Sequence, residues 1–238
     1  MWTANLDPRP KDQRAVEMRI SIPTRITPQE AATLQRRLAP EVKENSQLPK
    51  EISTIVGCDA TYILGMTIAA AVSVDYNTLN VRRIRVVKEK TVFPYVPGLL
   101  GFREGPVVLR AIRALKPTSY VCMVDGHGLA HPRRFGLACM VGLILAHPTI
   151  GVAKNLLNGS VKEGRVVDED GRPLAELIAL PEGRKTIYVS VGHKISLSDA
   201  VEVVKHCLTP RGPLPIRLAH EEVTRRKWQI KRSNPASS

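Results

Sequence analysis

The chain has 238 residues, 43% of them hydrophobic, which suffices for a packed core and excludes global disorder. Lys plus Arg outnumber Asp plus Glu by 35 to 22, a formal charge of +13, so a polyanionic partner such as nucleic acid stands level with plain solubility as the reason for the excess. No apolar stretch reaches the ~18 residues of a membrane span, and the N-terminal "MWTANLDPRPKDQR" has no apolar core of the kind a secretory signal needs.

Residues 1–26 show no clear periodicity and read as an irregular N-terminal segment. "TPQEAATLQRRLAPEV" then reads as a helix: Thr27 caps it, Pro28 suits its first position and Glu30 completes a capping box. Three β-rich runs follow, "ISTIVGCDATY" (52–62), "MTIAAAVSVDY" (66–76) and "NVRRIRVVKEKTVF" (80–93). Their short connections favour an antiparallel meander. "EGPVVLRAIRALK" (104–116) places Val107, Val108, Ala111, Ile112 and Leu115 on one helical face. Next come a buried strand "SYVCMVDG" (119–126), an apolar helix "RRFGLACMVGLILAH" (133–147) and a short strand "PTIGVAK" (148–154). "KTIYVSVGH" (185–193) reads as an accessory strand. "SLSDAVEVVKHCL" (196–208) is a helix capped by Ser196 or Ser198, and "IRLAHEEVTRRKW" (216–228) is a last, basic helix.

No repeat or linker interrupts this series, so 1–238 is expected to be one domain, with 229–238 a flexible tail. Three antiparallel strands followed by β-α-β connections give an α/β fold with a mixed central sheet flanked by helices, the order of the ribonuclease H-like fold. The four cysteines, Cys58, Cys122, Cys139 and Cys207, form no C-x-x-C pair. The usual zinc-ribbon and thioredoxin signatures are therefore missing, and a reduced, cytoplasmic setting fits.

That order places three acids at chemically useful positions. Asp59 lies near the end of the first strand, Glu104 opens the first crossover helix and Asp125 ends the fourth strand. Strands one and four are expected side by side, so Asp59 and Asp125 become neighbours while Glu104 reaches in from a helix start. Converging carboxylates are costly unless a cation neutralises them, and oxygen ligands favour Mg²⁺ or Mn²⁺ over zinc. Taken singly, each acid has an ordinary explanation: a strand end, a helix N-terminus, a turn before glycine. Their joint placement is what points to chemistry.

"VDGHGLAHPRR" (124–134) adds two glycines, Gly126 and Gly128, which permit close backbone approach to a ligand. It also brings His127, His131, Arg133 and Arg134 into one loop suited to phosphate. Lys154 ends the strand "TIGVAK", where it can offset charge on a scissile phosphate. His220 in "RLAHEE" reads by itself as a structural histidine.

The stretches "FPYVPGLLGFREGP", "VDGHGLAHPRRFGLA", "PTIGVAK", "VSVGHKISL" and "RLAH" resemble, in this order, the endonuclease V family of deoxyinosine 3′-endonucleases, over about residues 52–220. The resemblance implies a ribonuclease H-like nuclease that uses Mg²⁺, with Mn²⁺ able to substitute. It implies recognition of deaminated adenine (hypoxanthine) in DNA and cutting of the second phosphodiester bond on its 3′ side, with inosine-containing RNA as the substrate of some members. By motif, Asp59, Glu104 and Asp125 resemble the metal-binding carboxylates, and His220 a further residue near the metal. His131 and Lys154 resemble catalytic or phosphate-contacting supports. Tyr95, between Pro94 and Pro97 and ahead of Gly98, resembles the wedge that enters the duplex at the damaged base. Gly126 and Gly128 resemble backbone walls of the flipped-base pocket. Met140 stands where many members carry histidine. The expected partner is deoxyinosine-containing DNA, with inosine-containing RNA or a non-catalytic nucleic-acid-binding role as alternatives. No membrane association is expected, and a monomer is.

Overall fold

A computed structural model describes residues 25–180 and 185–233. Helix α1 (Pro28–Leu38) begins as expected: the Thr27 hydroxyl accepts from the Glu30 amide while the Glu30 carboxylate accepts from the Thr27 amide. Most of the N-terminal segment and the last five residues, 234–238, lie outside the described residues.

Strands β1 (Thr54–Ile63), β2 (Met66–Asp75) and β3 (Val81–Lys90) form the expected antiparallel meander. β2, "MTIAAAVSVD", is apolar almost throughout because both its faces are covered. β3 is the sheet edge and carries Arg82, Arg83, Arg85, Lys88 and Lys90, charges that oppose pairing with a foreign strand. Helix α2 (Leu100–Leu115) leads into β4 (Tyr120–Asp125), and α3 (Leu137–Leu145) into β5 (Thr149–Ala153). β1, β4 and β5 run parallel, as the crossovers require.

Beyond β5 come β6 (Ser160–Lys162), β7 (Arg165–Val167), β8 (Pro173–Ala179) and β9 (Thr186–His193). The nine strands form one sheet in the order β3-β2-β1-β4-β5-β9-β8-β7-β6. β9 is therefore no accessory: it pairs antiparallel with both β5 and β8 in the interior of the sheet. Helix α4 (Leu197–His206), capped by the Ser196 hydroxyl on the Asp199 amide, precedes a small hairpin and helix α5 (Leu214–Ser233). α5 extends through residues 229–233, which the sequence reading assigned to a flexible tail; "QIKRS" continues the helix without a Gly or Pro to stop it.

Alternation along β1 separates the two faces of the sheet. Gly57, Asp59 and Thr61 face α5: a Cβ on Gly57 would stand 2.2 Å from the Pro215 carbonyl carbon, Asp59 bonds His220, and Thr61 meets Lys227. Tyr62 points the other way, to Glu104 of α2. α2 and α3 pack together on that second face. The core runs between, through residues such as Ile55, Ile68, Phe102, Ile112, Met123 and Ile150, all essentially inaccessible.

Candidate active site

The structure corrects two sequence placements. β1 and β4 pair only as far as Cys58 and Val124. β1 itself runs on to Ile63 beside β2 alone, so Asp59 sits mid-strand, just past the end of the parallel ladder. Helix α2 starts at Leu100 because the chain turns at Gly98 (φ 76°) and Leu99 anchors in the core. Glu104 is thus one turn inside the helix and buried, 6% exposed, rather than at its start.

Asp59, Asp125 and His220 each offer an oxygen or ring nitrogen, and these three atoms lie within 4.8 Å of one another. His220 Nδ1 is 2.8 Å from Asp59 Oδ2, and the Ala60 amide donates to Asp59 Oδ1 at 2.7 Å. Lys154 Nζ, one residue past β5, donates to Asp125 Oδ2 at 2.6 Å. Burial, and then the Asp125 charge, push the Asp59 carboxyl up to about 6 despite the His220 and Ala60 bonds. Glu104 stands outside this trio but feels it. Burial raises its carboxyl to about 8, with the Asp59 and Asp125 charges adding to the rise. Against that, the Tyr62 hydroxyl donates to Glu104 Oε1 at 2.5 Å, and Arg103 lies over the Tyr62 ring at 4.1 Å.

This donor set fits a hard divalent cation. Two carboxylates meet at one point, one of them strained toward protonation, with an imidazole beside them and no thiolate. The nearby thiol of Cys58 faces inward, to the Met123 carbonyl. Asp59, Asp125 and His220 are the residues that would hold the ion, with Glu104 and Tyr62 behind them.

The other expected residues lie on the α2–α3 side. Tyr95 is 71% exposed at the tip of the Pro94–Pro97 loop, over an anchored base of Phe93, Leu99 and Phe102. His131 is buried and does not join the carboxylates. Its Nε2 donates to the Gly98 carbonyl at 2.8 Å and its Nδ1 accepts from the Arg133 amide at 3.1 Å. Burial holds this imidazole neutral, down at about 4. Two more donors converge on the same Gly98 oxygen, Arg133 Nη2 at 2.7 Å and Gln35 Nε2 at 3.1 Å. Gly126 and Gly128 have their amides engaged, with the Val152 carbonyl and the Ser190 hydroxyl. Gly128 has no room for a side chain: a Cβ there would meet the Val191 oxygen at 1.9 Å. Met140 packs its thioether against Gly101 of α2, which explains an apolar residue there.

Sequence reasoning missed Tyr62 and Gln35 as site-shaping residues, and it read Arg133 as part of a phosphate-handling loop, whereas the guanidinium bonds Gln35 and the Gly98 carbonyl. Tyr62 has a visible signal, since it lies three residues after Asp59 and so on the opposite face of the strand. Gln35 has none, because its partners, two main-chain carbonyls and the Arg133 guanidinium, lie 63 to 100 residues away.

Residues 36–221 match the family model described as Endonuclease V. The chain is 43% identical over 201 residues to an endonuclease V of Desulfurococcus amylolyticus, covering 80% of this chain and 91% of that one. Among solved structures it is similar to the endonuclease V of Streptomyces avermitilis, with a TM-score of 0.79, 32% identity and coverage of 89% of this chain and 98% of that one. It is also similar to the endonuclease V of Ciona intestinalis, crystallised with a 24mer DNA containing an inosine followed by a ribo-adenosine. There the TM-score is 0.76 and the identity 26%, covering 83% of this chain and 96% of that one.

Proposed function

This chain belongs to the endonuclease V family of nucleases, and from that premise we propose that it hydrolyses the second phosphodiester bond 3′ to a deoxyinosine in DNA. The observation that carries this is the meeting of Asp59, Asp125 and His220, with Lys154 on Asp125, at the end of the β1–β4 ladder. The substrate follows the Ciona relative, which was crystallised with an inosine-containing DNA. We read the fold as ribonuclease H-like, from three antiparallel strands followed by two parallel ones, and the chain as one catalytic domain.

A bound Mg²⁺, with Mn²⁺ able to replace it, would neutralise the carboxylates and supply an activated water for in-line displacement at phosphorus. Asp59 and Asp125, with His220 beside them, would hold that ion. His220, fixed by Asp59, is placed to hold or pass a proton at the solvent edge of the site. Lys154 brings positive charge beside Asp125, where a phosphate would otherwise meet only carboxylates. Glu104, tied to Tyr62 and kept largely protonated by burial, would take up its negative charge only once a cation offsets the neighbouring carboxylates. Breaking the P–O3′ bond leaves a 3′-hydroxyl and a 5′-phosphate.

Recognition falls to the loop of Tyr95. Pro94 and Pro97 limit its freedom, and His131, Arg133 and Gln35 hold it through the Gly98 carbonyl. Tyr95 would fill the space a flipped base leaves, recovering by stacking about 1–3 kcal/mol of the unstacking cost. Pro97 and Gly98 set its approach, and the Gly126–Gly128 turn would wall the space that receives the base. We place the enzyme in the cytoplasm as a monomer. Its four cysteines are free and buried, and no helix among the described residues is long and apolar enough to cross a membrane.

A second reading makes inosine-containing RNA the substrate. It has a specific observation behind it: the DNA bound by the Ciona relative carried a ribo-adenosine after its inosine. End-labelled strands with deoxyinosine, deoxyuridine or no lesion, and the same strands with one ribonucleotide 3′ of the lesion, separate the two. A single cut one nucleotide beyond inosine, in DNA, is the expected product. Cutting only where a 2′-hydroxyl adjoins the scissile bond would favour RNA, and cutting indifferent to the lesion would contradict both.

A further inference from the structure

The far half of α5 carries a side chain that packing does not account for. Trp228 is 59% exposed, although Val223 and Ile230 of the same helix pack on the core. It stands in "TRRKWQIKRS" (224–233), which holds five cations and no acid. Arg225, Trp228, Gln229 and Arg232 recur at helical spacing, so they share one face, and together they line a groove of about 500 Å³. Lys231 Nζ lies 5.5 Å from the centre of the Trp228 ring. Arg225 is oriented from below: its Nη2 and Nε donate to the buried Glu222 carboxylate at 2.6 and 3.0 Å. That one carboxylate also accepts from Arg226 Nε at 3.2 Å, so the face stays positive. Arg232 and the Gln229 side chain have no polar partner among the described residues.

The groove lies apart from the carboxylates. Trp228 comes eight residues after His220 on α5, about 12 Å along the helix axis and about 80° around it. Between them Lys227 closes on the Thr61 hydroxyl at 3.4 Å. None of the four groove residues belongs to the Asp59–Asp125–His220 cluster. The side chains also select among polyanions. A duplex keeps its base faces in the stack and offers the ring nothing. An acidic peptide would satisfy the cations but brings no flat partner for the indole. A lipid surface needs an apolar helix face, and that of α5, with Ile216, Ala219 and Val223, is spent on the core. An unpaired strand meets both features, because its bases stack on an aromatic ring whatever their identity and its phosphates suit guanidinium groups.

We propose that this groove is a second nucleic-acid site, which takes an unpaired strand without regard to any lesion. One base stacks on Trp228, and the phosphates on either side of it meet Arg225 and Arg232. The site does not rest on the nuclease reading, since it needs neither the carboxylates nor a metal.

The test uses the whole protein in EDTA, in a Trp2→Phe background that leaves Trp228 as the one tryptophan of the chain. An oligothymidylate of about eight nucleotides, within the ~4–16 that single-strand platforms cover, should quench its fluorescence. An abasic deoxyribose-phosphate strand of the same length carries the same charge and should not. By anisotropy of labelled strands, the oligothymidylate should bind about tenfold more tightly than the abasic strand, and Trp228→Ala should abolish that advantage. Arg232→Glu should weaken binding of both strands and make it less steep in salt. A Trp228 signal unmoved by the oligothymidylate, equal binding of the two strands, or an advantage that survives Trp228→Ala overturns the proposal. A blunt inosine duplex offers no unpaired strand, so Trp228→Ala should cut it at the wild-type rate. A loss there to match the loss of binding would make the groove part of the nuclease site and overturn the claim of a second one. Failure of the wild type to cut inosine duplexes would count against the nuclease reading alone.

Discussion

Glu104 is buried against α2's own packing and still faces two other carboxyl groups, an arrangement held by one hydroxyl, that of Tyr62. Tyr95 is the opposite case, a large aromatic left in water at the tip of a two-proline loop. Nothing in packing requires it there, so its effect should show in recognition. Tyr95→Ala should reduce the preference for inosine over undamaged strands by roughly tenfold to a hundredfold, the worth of one base stack, with the fold intact. Steady-state cleavage of paired substrates checks this, and equal loss on both strands would make the ring mere packing. Asp125 and Lys154 were legible in the sequence because each follows the apolar run of a short buried strand. The Asp59–His220 contact was not, since it joins residues 161 apart across a helix–sheet interface. His131 was read as phosphate-facing from its basic neighbours, whereas both its ring nitrogens are spent on main chain.

At the scale of elements, α1 matters more than its place at the edge of the matched residues suggests. Gln35 is 1% exposed and ties α1 to two loops through three groups: the Gly98 carbonyl, the Phe135 carbonyl and the Arg133 guanidinium, whose Nε donates to its Oε1 at 2.6 Å. Truncating it strands buried polar groups, so Gln35→Ala should cost about 1–3 kcal/mol of stability. Because the same bonds position the Tyr95 loop, lesion preference should fall too. Denaturant unfolding and paired-substrate kinetics measure the two effects, and a stability loss with unchanged preference would contradict the positioning role. The helix itself was legible from its capping box. The start of α2 was not, because "GLLGF" has no capping side chain and only the core anchoring of Leu99 and Phe102 shows where the helix begins. The outer strands β6–β8 were equally hidden: two are three residues long, too short for any alternation to register.

For the whole molecule, charge and burial set how stability follows pH. His131, His147 and His193 are all held neutral by burial, each down at about 4. A depressed histidine contributes stability that is complete above the unfolded value, near 6.5, and is lost as pH falls toward 4. Asp59 and Glu104 act in the opposite sense, because their raised values favour the protonated fold. Three groups against two give a net loss on acidification, reinforced by the self-repulsion of a chain at +13. The urea midpoint should therefore fall between pH 6.5 and 4.5, and a flat or rising midpoint would contradict this balance. On the function proposed above, the nine-stranded sheet holds Asp59 and Asp125 side by side between the Tyr95 loop and α5. The most direct measurement of that claim is cleavage of an end-labelled deoxyinosine strand in Mg²⁺ by the wild type and by Asp125→Ala, with strand binding measured alongside. The expected result is a loss of cutting of roughly a thousandfold or more with binding largely kept. Cutting by Asp125→Ala at near the wild-type rate would contradict it.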